Sequence, residues 1–202
     1  MEQIKRLRAE MAKQDVAAVL ISDPANVGWL TGFSGSFGRV IVTNVAALFI
    51  TDSRYTLQAQ EEVKDMPTTS FASPVDGDEF TAERAKELGI ARLGFESAVV
   101  TYAQWLRMGE KISGVELVPV RDLAPLRLVK SEAEIAKMRA ACALADAGFQ
   151  HILRLIQPGV TELDIALDLE FFIRRQGAEI ERRLTAQGHE RMSPLDDLIN
   201  GP

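Results

Sequence analysis

Residues 126–179 read LRLVKSEAEIAKMRAACALADAGFQHILRLIQPGVTELDIALDLEFFIRRQGAE and encode two capped helices joined by a short turn. Ser131 followed by Glu134 is a capping box, in which hydroxyl and carboxylate each satisfy an orphan amide at a helix start. Apolar residues then recur at Ile135, Met138, Cys142, Ala145, Phe149, Ile152 and Ile156, an alternation of three and four that lines up one stripe. Pro158-Gly159 ends the helix. Thr161 with Asp164 opens a second helix through Phe171, Phe172 and Ile173, which Gly177 closes. The first helix is predicted at about 26 residues, roughly 40 Å long. Its stripe is worth on the order of 10 kcal/mol if fully covered. The second helix covers only part of it, so exposed apolar surface is expected. On this reading Cys142 is a small buried side chain.

Upstream, residues 1–125 alternate helix and strand signals. Ile4, Leu7 and Met11 space a first amphipathic helix, and residues 16–21 form a short buried-type strand. Residues 39–43 and 46–51 are β-rich runs flanking Asn44-Val45, a hairpin without the usual Asn-Gly turn. A helix over 55–64 precedes an extended segment led by Pro67, and a helix over 78–88 ends at Gly89. Residues 91–95 are a strand, Thr101 caps a helix through Ile112, and 115–118 is the last strand. The alternation implies an α/β fold with a mixed sheet flanked by helices. Pro119 and Pro125 bracket an extended linker, so the predicted divisions are 1–125, 126–179 and a polar tail over 180–202.

Composition narrows the function. Of 202 residues, 47% are hydrophobic and 26% charged, as in globular domains with a real core. A net charge of −6 with scattered Lys and Arg argues against nucleic acid. No apolar run exceeds six residues, far short of a membrane span, and with no apolar core behind residues 1–5 no secretory signal is expected. One cysteine excludes an internal disulfide framework. The expected location is the cytoplasm.

Several motifs resemble, in order, those of the Xaa-Pro aminopeptidase and prolidase family of metallopeptidases. Upstream these are NVGWLTGFSGSFG over 26–38, TDSRYTLQA over 51–59, Gly94-Phe95-Glu96, and Thr101-Tyr102 with Trp105. Downstream they are Lys130-Ser131, Glu134-Ile135, Met138-Arg139, Ala145-Asp146, residues 158–162, Leu169-Glu170 and residues 177–179. The resemblance implies a creatinase-type N-terminal domain followed by the start of a pita-bread peptidase domain. Complete relatives would hydrolyse the bond before proline with two divalent metals, often manganese, on two Asp, one His and two Glu downstream. The 23 residues after Glu179 show no such set, so the catalytic domain is expected to be begun and not completed. A frameshift or early stop would produce that pattern. No metal is then expected on this chain, and no catalytic residue. Homodimer or higher oligomer is the expected assembly. A creatine amidinohydrolase-like fragment and a non-catalytic assembly module are the alternatives.

The resemblance makes Phe33, Arg39 and Arg54 candidates for contact with substrate. Competing readings put Phe33 in the core, Arg39 as a strand-edge charge and Arg54 in an ion pair with Asp52. Gly32, Gly35 and Gly38 lack the dinucleotide spacing and any following Lys-Ser/Thr pair, so they are read as a tight loop and not a phosphate cradle. His189, Glu190, Asp196 and Asp197 could donate metal ligands but stand in no recognised spacing. A solvated tail is the expectation there. His151 is read as a partly exposed helix residue.

Overall fold

Alternating apolar strand residues split the N-terminal core into two faces of one sheet. The structure, a computed structural model, describes residues 2–112, 114–177, 182–184 and 190–192. It divides into two units, Met1–Val129 and Lys130–Pro202. The first is built from α1 (Glu2–Lys13), β1 (Ala18–Ile21), α2 (Pro24–Thr31), β2 (Gly38–Thr43), β3 (Ala47–Asp52), α3 (Thr56–Glu62), β4 (Thr68–Phe71), α4 (Gly77–Glu87), β5 (Arg92–Glu96), α5 (Tyr102–Lys111) and β6 (Glu116–Val120). The six strands lie in the order β4-β3-β2-β1-β5-β6. The pairs β1–β2 and β2–β3 are antiparallel and the other three parallel, the mixed sheet the sequence predicts.

Period-two alternation sends Val19, Ile21, Val40, Val42 and Phe49 to one face, against Leu7 and Met11 of α1, Val27 and Leu30 of α2, and Ala59 of α3. Leu20, Ile41, Ile50, Leu93 and Phe95 take the other face, against Ala82 and Ala85 of α4 and Met108 of α5. The result is a three-layer α/β/α sandwich. Each large side chain buried this way contributes about 1.5–3 kcal/mol, so a one-residue register slip in β1 or β2 is strongly disfavoured.

One local reading is corrected, one element is added and one hairpin is explained. Residues 24–31 form α2, although their apolar residues carry no helical period. Asp23 caps it by accepting from Asn26 N–H, and Pro24 stands in its first turn. Pro119 lies inside β6 and does not begin a linker, because β6 is an edge strand and can lose an amide donor. The β2–β3 hairpin needs no Asn-Gly, because the Thr43 hydroxyl accepts from Val45 N–H and Ala46 N–H at 3.3 and 2.8 Å. Gly89 takes the left-handed conformation expected of it, at φ 69°.

In the second unit α6 (Glu132–Ile152) and α7 (Glu162–Arg175) both start with capping boxes, Ser131/Glu134 and Thr161/Asp164. At 21 residues α6 is shorter than predicted, since the chain leaves the helix before Pro158 is reached. Gly148 lets α7 approach: a Cβ there would stand 3.0 Å from Leu169 Cδ1. His151 Nε2 bonds the Asp168 carboxylate, and its ring stacks on Phe172 with centroids 4.2 Å apart. The stripe reading of Cys142 is wrong, because its side chain is exposed. Met138, Phe149 and Ile156 of the same stripe are also exposed, together with Leu163, Leu167 and Phe171 along α7. Two helices alone bury only the inner seam of a hairpin. In the tail, β7 (Arg182–Leu184) pairs antiparallel with β8 (Glu190–Met192).

Candidate functional site

Helix α2 delivers the chain to the glycine-rich loop, and a buried carboxylate fixes where α2 begins. Glu96, at the end of β5, is 2% exposed. Its Oε2 accepts from Ser22 N–H and Asp23 N–H at 2.6 and 2.8 Å, and its Oε1 accepts from the Asn26 amide at 2.6 Å. A side chain with two acceptor oxygens suits this place, where three donors converge at a helix N-terminus. Gly32 then ends α2 in the left-handed conformation, φ 77°, which costs glycine nothing.

The loop over 33–37 is tied down at each step. Phe33 is buried as its core reading requires, edge-on to Phe49 at 4.8 Å and to Tyr55 at 5.8 Å. Gly35 lies directly on that ring: a Cβ would sit 2.4 Å from Phe33 Cζ. Ser34 N–H and Oγ–H donate to Glu62. Burial pushes the Glu62 carboxyl up, but the Ser34 amide, the Gln58 side chain and the Ser34 hydroxyl outweigh it and hold the group below its ordinary value. Ser36 Oγ and Tyr55 OH are 2.6 Å apart, and Phe37 carbonyl accepts from Thr51 Oγ at 2.6 Å.

Beyond the loop a cleft of about 320 Å³ opens, walled by Ser36, Phe37, Gly38 and Arg39 on one side and by Val100, Gln104, Arg107 and Met108 on the other. Asp78 lies at its base, 3% exposed, in the first turn of α4, where Asp76 caps the helix. Its two oxygens are divided between two guanidiniums. Arg39 Nη2 donates to Oδ1 at 2.6 Å and Arg107 Nε donates to Oδ2 at 3.1 Å. Arg39 Nη1 also donates to Gly77 carbonyl and Thr81 Oγ. Arg39 therefore sits on an interior strand as part of a buried ion pair, where the competing reading expected a strand-edge charge.

Arg54 behaves as its competing reading expected. Its Nε and Nη2 donate to the two oxygens of Asp52 at 3.0 and 2.8 Å. That pairing is the main reason the Asp52 carboxyl lies below its ordinary value. Arg39 lines the cleft; Arg54 does not, and Phe33 supports the loop from beneath. Asp78, Gln104 and Arg107 went unnoticed in the sequence.

Among the described residues no three His, Cys, Asp or Glu side chains come together to hold a metal ion. They do not make up the ligand set that the family resemblance implies. His189, Asp196, Asp197 and the side chain of Glu190 lie outside the described residues. No helix among the described residues is long and apolar enough to cross a membrane.

Comparison with known proteins accounts for both units. Residues 3–129 match the creatinase/prolidase N-terminal domain. The chain belongs to the creatinase/prolidase N-terminal domain family. Residues 136–192 match metallopeptidase family M24, a match that continues past Glu179, where the likeness read from the sequence stops. An uncharacterized peptidase of Bacillus subtilis is 38% identical over 177 residues, covering 87% of this chain and 50% of the relative. The Xaa-Pro dipeptidase of Pyrococcus horikoshii is 30% identical, with 88% of this chain and 49% of that protein covered. Among solved structures, Xaa-Pro dipeptidase from Bacillus anthracis superposes with a TM-score of 0.75 at 32% identity, over 96% of this chain and 57% of that one. The N-terminal domain of a cytoplasmic peptidase from Mycobacterium tuberculosis gives a TM-score of 0.53 at 34% identity, over 62% of this chain and 96% of that one. The chain spans about half the length of the curated relatives it matches.

Proposed function

We propose that this chain provides the N-terminal, substrate-gating part and the opening helical hairpin of a peptidase that hydrolyses the bond preceding proline. The observation that carries the reading is the order of the two matches, N-terminal domain over 3–129 and metallopeptidase family over 136–192, shared with relatives named Xaa-Pro dipeptidase. Those names favour a peptidase over a creatine amidinohydrolase. In this proposal the two divalent metals of that chemistry belong to complete relatives, on ligands that the described residues do not make up. Arg39 in the cleft, Phe33 beneath the loop and Arg54 beside it form the proposed substrate-proximal group.

Self-association is part of the proposal. Tyr102 and Trp105 stack on the outside of α5 with centroids 5.8 Å apart, next to exposed Leu106, a composition suited to an interface. The test is a chimera in which residues 1–129 replace the matching region of the Pyrococcus horikoshii Xaa-Pro dipeptidase. Manganese-dependent release of proline from Ala-Pro supports the reading. A folded chimera that releases none contradicts it.

A further inference from the structure

Arg107 is held by one nitrogen and offers the rest. Its Nε donates to Asp78, while no described residue takes its Nη1 or Nη2, and its side chain is 59% exposed. With Nε engaged, the outer pair of nitrogens forms a planar fork matched in width to a carboxylate. Gln104, one turn earlier on α5, spends its carbonyl oxygen on Thr101 N–H and Oγ–H, which leaves its amide N–H groups for the cleft. The charged residues lining the cleft are Arg39, Arg107 and Asp78, two cations against one anion. Asp78 is fully occupied by its two arginines, so among the lining residues one positive charge stands in excess, and Asp76, outside the lining, also acts on Arg107 through charge.

We propose that this cleft is a carboxylate-recognition site, with Arg107 and Gln104 as the docking donors, and that its occupant is the C-terminal carboxylate of a short peptide. Asp78 and Arg39 are positioning residues: the buried pair fixes the plane in which the Arg107 fork is presented. The rigid 35–38 loop supplies the opposite wall. The carboxylate chemistry stands on the cleft alone. Its assignment to a peptide rests on the proposed Xaa-Pro reading.

The experiment follows backbone amide shifts of the 202-residue chain during titration with Ala-Pro, Ala-Pro amide and acetate. Ala-Pro is expected to give saturable shifts confined to residues 36–39 and 104–108. Removing the ligand's charge, as in Ala-Pro amide, is expected to weaken binding roughly tenfold or more. Arg107→Met, at an exposed position, is expected to weaken Ala-Pro by a similar factor with the remaining spectrum unchanged. Gln104→Glu tests the same point without touching the ion pair, by placing a like charge against the ligand. Equal binding of Ala-Pro and its amide overturns the proposal, as does unchanged binding by both variants. Acetate binding as tightly as Ala-Pro overturns the assignment to a peptide. The enzyme reading fails separately, through an inactive chimera, whatever these titrations show.

Discussion

Replacing Glu96 by alanine removes one carboxylate and orphans three donors at once: the part-buried Ser22 N–H and Asp23 N–H and the buried Asn26 amide. The Ser22 hydroxyl, 3.2 Å from Oε2, can turn to water and adds little. At about 1–1.5 kcal/mol for each stranded donor, the loss comes to about 3–5 kcal/mol, a large fraction of a domain's stability. Glu96→Gln is the informative companion. Its oxygen can keep the two backbone donors, but its amide then faces the Asn26 amide, donor against donor. Asn26 can answer by turning its own amide, since its Oδ1 is buried without a partner among the described residues. That variant is expected to lose about 1–2 kcal/mol. Both tryptophans, Trp29 and Trp105, lie in the first unit, so fluorescence during urea unfolding reports that unit alone. With a slope of about 2 kcal/mol/M, Glu96→Ala should lower the midpoint by roughly 2 M and Glu96→Gln by less than half as much. A midpoint for Glu96→Ala within 0.5 M (about 1 kcal/mol) of the parent would refute the reasoning.

Gly35→Ala forces a Cβ to 2.4 Å from Phe33 Cζ and 2.8 Å from Tyr55 Cδ1, and is expected to destabilise by about 1–3 kcal/mol. Gly109→Ala, with nothing within 4 Å, should be neutral or slightly stabilising in the same urea assay. Acid should act through Asp52 and Asp76. The Arg54 hydrogen bond lowers the first. Burial pushes the second up, but the Glu79 and Asp78 amides pull it further down. Both folded values lie below the ordinary 3.8, so their stabilisation is complete above that pH and is lost as pH falls through the depressed values. Asp76→Asn, which keeps a capping side chain, should flatten the fall of Tm below about pH 4; an unchanged acid limb would contradict the assignment. Exposed Cys142 should react with a thiol reagent in the native chain within about tenfold of the rate for the unfolded chain, and strong protection would show that α6 is covered.

How much of this could be read in advance depends on the range of the forces. The caps of α6 and α7 were legible because Ser131/Glu134 and Thr161/Asp164 act over three residues. Strand and helix alternation through 1–125 was legible because burial on two sheet faces imposes period two on the sequence. Helix α2 was not, since PANVGWLT has no apolar stripe and depends on Glu96 some 70 residues away. Its local markers, Asp23 and Pro24, are too common in turns to decide alone. The cleft escaped for the same reason. Arg39 and Asp78 are 39 positions apart, and Asp78 and Arg107 are 29 apart, so only the folded sheet brings them together. Cys142 was misread because a regular stripe records what a helix is able to bury, and α7 alone does not cover it.

The most direct test of the account is the KM of the chimera for Ala-Pro before and after Arg39→Lys, which keeps the charge and removes the fork. A severalfold rise in KM with kcat little changed, beside a lower Tm because the buried pair with Asp78 loses hydrogen bonds, is the result expected if the N-terminal domain helps bind substrate. A chimera whose KM is indifferent to Arg39→Lys, Arg54→Ala and Phe33→Leu would show that this domain folds beside the reaction without taking part in it.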